Sequence, residues 1–254
     1  MRLFLPFRRR VAAGAISVLG LAAGARSSDL LVVYGAGSAG LWGTELTFAN
    51  RTADETSVGV FDAPFDVCPP SAHCYSFATL PPRGTVVMDY YGNLLRTGVG
   101  AAYIFSGSNP LTVSVQARAH QASGSSVDLP VFSVADLLAL DPESLVLPGA
   151  RRGPGARTNL LVANVFRHDG TRSGPVDIGL EVIGADGTLL GSSTLSIPYG
   201  ETIFITDVVE KLGVTELENG QVKVTKLGGD GVMWATMTVA RADGSLSTSI
   251  GATP

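Results

Sequence analysis

The sequence predicts an all-β protein made of two tandem β-sandwich domains that follow a cleaved signal peptide. Three observations support this: short β-rich runs separated by turn residues, an internal repeat, and a basic and then apolar N-terminus. The predicted domains cover residues 29–132 and 149–254, and residues 133–148 are predicted to form a linker with a short helix. With 254 residues the chain is long enough for two domains of ordinary size.

The N-terminus has the features of a secretory signal peptide. Three arginines, Arg8–Arg10, precede an uncharged run over residues 11–25 that ends in Ala-Gly-Ala. A basic segment, a short apolar segment and a small-residue cleavage site predict export and removal of residues 1–25. The alternatives are a membrane anchor or a buried helix, but the run is short for a membrane span and no later segment is long enough for one. We therefore expect a mature chain without a transmembrane span that is secreted, periplasmic or at the cell surface.

The charge of the mature chain restricts its partners. Removal of residues 1–25 takes four arginines, which leaves 14 basic residues against 22 acidic ones and a formal net charge of −8. An acidic surface argues against nucleic acid and against anionic lipid. The expected partner is therefore a protein or a glycan.

Many short β-rich runs at close spacing, with few helical segments, are typical of immunoglobulin-like sandwiches. Only Ser133–Leu140 and Asp207–Leu212 look helical. Asp-Gly pairs, which readily form tight hairpin turns, separate several of the runs, and they begin at Asp169, Asp186, Asp230 and Asp243. The predicted strands are Glu45–Ala49, Ser57–Phe61, Thr85–Met88, Leu111–Ala117, Asn159–Val165, Val176–Ile183, Thr202–Thr206, Gln221–Lys226 and Met233–Ala240.

An internal repeat divides the chain into two copies. A shift of 114 residues places residues 35–50 over residues 149–164 without a gap. Each copy is therefore predicted to form one sandwich. The identical positions are Gly35/Gly149, Ala36/Ala150, Thr44/Thr158, Leu46/Leu160, Ala49/Ala163 and Asn50/Asn164.

The later parts of the two copies correspond more loosely. Leu80–Val87 resembles Ile197–Phe204, and each is followed by an acid, Asp89 or Asp207, that opens a short helical turn. A carboxylate in that place is better explained as a helix cap than as a catalytic acid. The closing runs also share Ala-Arg-Ala, over residues 115–119 and 238–242.

These motifs resemble those of a group of secreted bacterial tandem β-sandwich repeat proteins. The entry motif of that group has the form T-[DEN]-L-x-L-x-N, which here is TELTFAN over Thr44–Asn50 and TNLLVAN over Thr158–Asn164. The resemblance covers nearly all of the mature chain, although its motifs are short and structural. It implies a non-enzymatic extracellular or cell-surface module of undefined role, and it carries over no catalytic residue.

One motif favours a different function. Gly35, Gly37 and Gly40 form G-x-G-x-x-G after the apolar run Leu30–Tyr34, as in dinucleotide-binding proteins, so a secreted flavin- or NAD-dependent oxidoreductase is one alternative. That fingerprint needs a helix at the third glycine to bind the pyrophosphate. The residues after Gly40 instead have a strand-like order without an apolar face at helical spacing. We therefore predict no bound cofactor.

The two cysteines of the chain, Cys68 and Cys74, lie in a short segment that contains two prolines. In an oxidising compartment we expect them to form a local disulfide. With His73 they would supply only three ligands at a nonstandard spacing, so a metal site is the weaker interpretation.

No residues form a recognisable catalytic or metal-binding set, because the histidines are scattered and no nucleophile elbow is present. We therefore expect a non-enzyme with a structural or binding role. Tyr90 and Tyr91, with Trp42, are the candidate binding surface, and a carbohydrate-binding module that stacks sugars on them is a further alternative. Core packing is the other interpretation of Trp42 and of Trp234.

Overall fold

The computed structural model describes residues 30–38, 42–61, 75–89, 98–106, 112–121, 124–166 and 173–253. Within these ranges the chain is all-β, with antiparallel sheets and two short helices. The predicted all-β class is therefore confirmed, and the antiparallel sheets are consistent with the predicted β-sandwich. The signal peptide predicted over residues 1–25 lies outside these ranges.

The first half, residues 30–133, contains two sheets. Sheet A has the strand order β4-β3-β6-β1-β9, and sheet B has the order β5-β2-β7-β8. The strands are β1 (Leu31–Ser38), β2 (Trp42–Asn50), β3 (Thr56–Phe61), β4 (Tyr75–Leu80), β5 (Thr85–Asp89), β6 (Gly98–Ser106), β7 (Val113–Gln121), β8 (Ser126–Leu129) and β9 (Val131–Ser133).

The second half, residues 144–253, also contains two sheets. Sheet C has the order β10-β15-β12-β13, and sheet D has the order β14-β11-β16-β17. Helix α1 (Val134–Leu140) precedes this half, and α2 (Val208–Lys211) follows β14. The strands are β10 (Ser144–Arg152), β11 (Ala156–Asn164), β12 (Val176–Ile183), β13 (Leu189–Ile197), β14 (Thr202–Ile205), β15 (Leu217–Gly229), β16 (Met233–Arg241) and β17 (Leu246–Ile250).

The two halves have the same strand order. If β1–β8 are matched in turn with β10–β17, the order 4-3-6-1 of sheet A becomes the order of sheet C, and the order of sheet B becomes that of sheet D. This is the recurrence that the internal repeat predicts, and β9 is an addition to sheet A. The order differs from that of immunoglobulin domains, in which the first two strands are neighbours in one sheet, because β1 pairs with β6 while β2 lies in the other sheet.

The residues that are identical in the two copies have local structural roles. Gly35 and Gly149 have φ angles of +87° and +89°, and each lies where the first strand of its half shifts register in a β-bulge. A residue without a Cβ adopts this backbone conformation without strain. Asn50 and Asn164 are buried and donate hydrogen bonds from Nδ2 to the carbonyls of Leu80 and Ile197. The repeat therefore preserves bulges and buried amides.

Both predicted helices are present, and Asp207 is the predicted cap of the second. The Ser133 hydroxyl accepts a hydrogen bond from the Asp136 N–H at the start of α1, at 3.3 Å. Asp207 accepts one from the Glu210 N–H at the start of α2, at 3.4 Å. Capping is thus the local role of Asp207.

Two details predicted from the sequence are wrong. The Asp230-Gly231 pair is not a hairpin turn, because it connects β15 of sheet C to β16 of sheet D. The shared Ala-Arg-Ala motif does not align the closing strands β7 and β16. Trp42 of β2 pairs with Gln121 of β7, and Ala156, which is equivalent to Trp42, pairs with Arg241 of β16. The two closing strands are therefore related by a shift of 120 residues, whereas the motif predicts a shift of 123. A difference of three would reverse the faces of a strand, since side chains alternate.

Other turn and boundary predictions have mixed outcomes. The Asp-Gly pairs at Asp186 and Asp243 do connect paired strands, β12 to β13 and β16 to β17. The pair at Asp169 lies outside the described residues. β10 begins at Ser144, within the segment 133–148 that the sequence assigns to a linker, because Ser144 already pairs with Thr225 of β15.

The sheets stack in four layers in the order B, A, D, C. One apolar cluster fills the space between sheets A and B, and a second, larger cluster joins sheet A to the second half. Aromatic rings meet across the A–D contact: Phe132 lies 5.3 Å from Trp234, and Phe61 lies 6.5 Å from Phe166, between ring centroids. Sheets A and D are therefore covered on both faces, whereas sheets B and C each have a solvent-facing side.

Candidate functional site

A cavity of about 350 Å³, called the central cavity below, lies between the two halves. This volume falls within the range of small-molecule pockets, about 300–1,000 Å³. The second half contributes Arg157, Asn159, Leu161, Phe204, Thr206, Thr236, Thr238, Ala240, Leu246 and Thr248, and the first half contributes Tyr34, Gly35, Val99, Ala119, Val127 and Leu129. The cavity thus depends on the way the halves pack together.

The wall from sheet D consists of three rungs, each a pair of residues opposite one another on β11 and β16. The deep rung is Leu161 with Thr236, the middle rung is Asn159 with Thr238, and the outer rung is Arg157 with Ala240. Successive rungs are two residues apart, so Leu161 and Arg157 are separated by about 14 Å along the strand. Leu161 is 3% exposed and Arg157 is exposed. The cavity therefore runs from a covered apolar end to an open charged end.

The opposite wall contains the bulge of β1. Tyr34 and Gly35 lie at the point where β1 shifts register against β6, and Val99 of β6 lies beside them in the lining. The remaining wall comes from the paired strands β7 and β8, where Ala119 is opposite Val127. Because these residues are apolar or glycine, the first half supplies mainly hydrophobic surface.

One hydrogen bond fixes the orientation of Asn159 in the middle rung. Its Oδ1 accepts a hydrogen bond from the Asp207 N–H at 3.1 Å, and the side chain is 8% exposed. Its Nδ2 group has no partner among the residues that the structure describes. An amide whose oxygen is occupied and whose nitrogen is unpaired presents hydrogen-bond donors to the cavity.

The acidic groups near the open end are already paired. Arg152 binds the Asp207 carboxylate through Nη1 at 2.6 Å and the Glu210 carboxylate through Nη2 at 3.0 Å. Arg157 lies on β11, just after the short turn that follows Arg152. It has no ion pair or side-chain hydrogen bond within the described ranges. The guanidinium of Arg157 is therefore available to a ligand.

Two buried tyrosines lie between sheets A and D. Tyr34 and Tyr103 are each 1% exposed, and neither hydroxyl forms a hydrogen bond of normal geometry within the described part of the chain. Burial raises the pKa of Tyr34 well above its usual value, and the nearby Tyr103 raises it further. Burial likewise raises the pKa of Tyr103. Both phenols are therefore neutral at physiological pH, so Tyr34 adds no negative charge to the cavity.

The glycine motif has a different structural setting from that of a dinucleotide site. Gly35 and Gly37 lie in β1, which pairs antiparallel with β6, and β2 begins at Trp42. A pyrophosphate site needs a helix after the strand, and the described residues on either side of Gly40 form strands. Gly40 itself lies outside the described ranges. Gly35 belongs to the described lining of the central cavity.

Most of the other predicted site residues lie outside the described part of the chain. These are Cys68 and Cys74 of the predicted disulfide, His73, and Tyr90 and Tyr91 of the predicted binding surface. Trp42 starts β2, where its backbone is opposite Gln121. Trp234 is 5% exposed and packs against Phe132, which agrees with a core role.

Two other kinds of feature are absent from the described residues. No group of three or more His, Cys, Asp or Glu side chains is placed to hold a metal ion. No helix within those residues has the length and apolarity to cross a membrane.

Sequence reasoning did not identify the lining of the central cavity. Asn159 and Thr238 lie within predicted strands and Arg157 lies just before one, but nothing local marks them as a site. A usable sequence signal was the continuous apolar run over Leu160–Ala163, in contrast to the alternation of Val176–Ile183. Strands covered on both faces read as continuous apolar runs, and strands covered on one face alternate. β11 is buried from Thr158 to Asn164, while β12 alternates.

Comparisons with known proteins add little. No family model matches the chain, and no curated protein sequence matches it. Among solved structures, the apo form of Pleurotus ostreatus lectin aligns at 12% sequence identity over 87% of this chain and 74% of the lectin chain, with a TM-score of 0.21. A TM-score this low does not indicate a shared fold.

Proposed function

We propose that the chain is an exported, non-catalytic binding protein of two tandem β-sandwich domains, which holds the apolar part of a ligand in the central cavity. The export step rests on the signal-peptide pattern of residues 1–25. N-terminal sequencing of the secreted or periplasmic protein should then begin at Arg26. A mature protein that retains Met1 or remains in the cytoplasm would contradict this step.

The central cavity is the observation that supports a binding role. It combines about 350 Å³ of volume with a mostly apolar lining and a few fixed polar groups, which is the usual composition of a small-molecule site. Its walls come from both halves, so the duplication itself creates the site. A structural role alone does not require such a cavity, because protein interiors are ordinarily close-packed.

A neutral fluorescent probe tests this proposal. N-phenyl-1-naphthylamine should bind the wild-type protein with increased fluorescence and a single saturable site. Thr238→Phe should weaken this binding at least about tenfold, because the added ring occupies the middle rung, and a tenfold loss corresponds to about 1.4 kcal/mol. Circular dichroism and the unfolding midpoint check that the variant remains folded.

Thr194→Phe is the matched control, since it adds the same ring at an exposed position of β13 on the far sheet C. This variant should bind the probe as the wild type does. Absence of saturable binding to the wild type, or equal effects of the two substitutions, would contradict the proposal. The alternatives that use Tyr90, Tyr91 or the glycine motif stay predictions.

A further inference from the structure

The polar groups in the described lining of the central cavity are all neutral or positively charged. Apart from the tyrosine, they are the guanidinium of Arg157, the amide of Asn159 and the threonine hydroxyls, and no carboxylate is found in the described lining. Arg157 is therefore the one formal charge in that lining. A cavity with a single unpaired cation at its open end favours a ligand with one negative charge.

The groups that could bind an anion lie on the same face of sheet D. Arg157 and Asn159 are two residues apart on β11, so their side chains point to the same side. Asn159 turns its unpaired Nδ2 group to the cavity because its oxygen is held by the Asp207 N–H. Together they offer a charged and a neutral donor, which can share the oxygens of one carboxylate or sulfonate.

The apolar end of the cavity lies at a fixed distance from these donors. Leu161 and Phe204 are opposite one another on β11 and β14 and line the deep rung. The separation of about 14 Å between the Leu161 and Arg157 rungs suits an extended molecule with an acidic head and a hydrocarbon or aromatic tail. A ligand that is charged along its whole length would place its charge against apolar walls, which is costly.

Nearby acids do not cancel this preference. Asp207 lines a neighbouring groove together with Arg157 and Arg152, and Arg152 binds the carboxylates of both Asp207 and Glu210. Asp207 also caps α2. Arg157 is not needed for either task, so its charge is free to bind an anionic head group.

From this arrangement we infer that the ligand of the central cavity is a small amphipathic anion, with its acidic group on Arg157 and Asn159 and its apolar part against the deep rung. This inference rests on the proposed binding function and adds the chemical class of the ligand. It makes Arg157 a residue that determines specificity, with little effect on the fold because its side chain is exposed.

Two probes that differ by one sulfonate test the inference. 8-Anilino-1-naphthalenesulfonate is the anionic counterpart of the neutral N-phenyl-1-naphthylamine. Arg157→Gln should raise the Kd of the anionic probe about tenfold, as expected for the loss of a charge-assisted hydrogen bond, and should leave the Kd of the neutral probe unchanged. The anionic probe should also bind less tightly at high salt.

Arg151→Gln is the matched control, because Arg151 is exposed on the preceding strand β10 of sheet C and is not part of the described cavity lining. It should affect neither probe. If Arg157→Gln changes neither Kd, or changes both equally, the anion inference is overturned while the binding function stands. If neither probe binds the wild-type protein saturably, both are overturned.

Discussion

Sheets A and C have the same strand order. They differ in the outer face, which is the face turned away from the partner sheet of the same half: it is apolar in sheet A and charged in sheet C. In sheet A, Phe61 of β3 is opposite Tyr103 of β6, and their rings stack at 5.4 Å. In the corresponding strands of sheet C, Glu181 is opposite Lys223, and their charged groups are 3.4 Å apart. Gly59 and Gly179 precede these pairs by two residues in each half. The same framework therefore carries an aromatic pair in one half and an ion pair in the other.

This difference decides how the halves associate. Sheet A is apolar on its outer face and packs against the second half, whereas sheet C remains exposed to solvent with its ion pair. Between sheets B and D the difference is reversed, because here the first half has the charged pair. Glu45 and Arg118 are opposite one another in sheet B, and their counterparts in sheet D are the uncharged Asn159 and Thr238. The contact therefore joins non-equivalent faces, which makes it heterologous rather than two-fold symmetric.

The largest expected effect concerns the aromatic pair. Phe61→Ala removes a ring that is 2% exposed in the A–D contact, so the free energy of unfolding should fall by about 3–5 kcal/mol. Glu181→Ala, at the corresponding place in sheet C, should cost less than about 1 kcal/mol because the pair is partly exposed. Urea unfolding of both variants measures the contrast. Similar losses would show that the two outer faces do not differ in stability.

A second effect should appear in alkaline solution and depends on the buried tyrosines of sheet A. Unfolded tyrosines ionise near pH 10, while Tyr34 and Tyr103 have raised pKa values and keep their protons in the folded state. The folded state then binds more protons, so the stability present below pH 10 is lost as the pH rises above it, by about 1.4 kcal/mol per pH unit for each tyrosine.

The variant Tyr34→Phe separates this contribution from general alkaline denaturation. Above pH 10 its stability should fall less steeply with pH than that of the wild type, by about 1.4 kcal/mol per pH unit. Unfolding midpoints measured from pH 8 to pH 11.5 provide the slope. An unchanged slope would mean that Tyr34 is accessible to water in the folded protein.

The smallest effect should be the same in both halves. Gly35→Ala and Gly149→Ala each place a side chain at a φ near +90°, so each should destabilise the protein by about 1 kcal/mol. Neither added Cβ meets an atom closer than 3.9 Å, which leaves the backbone conformation as the cause. Thermal unfolding of the two variants tests the equivalence. A much larger loss for Gly35 would indicate a role in the central cavity beyond the bulge.

The sequence by itself determined the features that depend on short segments of chain. The β-rich run Val176–Ile183 predicted β12 to the residue, and the helix cap at Asp207 was expected from its position. The bulge glycines Gly35 and Gly149 were aligned by the repeat without a gap. These features follow from backbone conformation and from hydrogen bonds between near neighbours, which local residues specify.

The tertiary structure decided the features that depend on partner surfaces. Pairing with β2 and β11 sets the register of the closing strands β7 and β16. In this register the residues of the two strands that are equivalent differ from those that the shared Ala-Arg-Ala motif aligns. The A–D contact also made Leu161 part of a cavity floor and left Arg157 at its opening. Burial of a face is a property of two sheets together, so neither strand alone reveals it. For the same reason the central cavity, which needs residues of both halves, could not be located from the motifs of either copy.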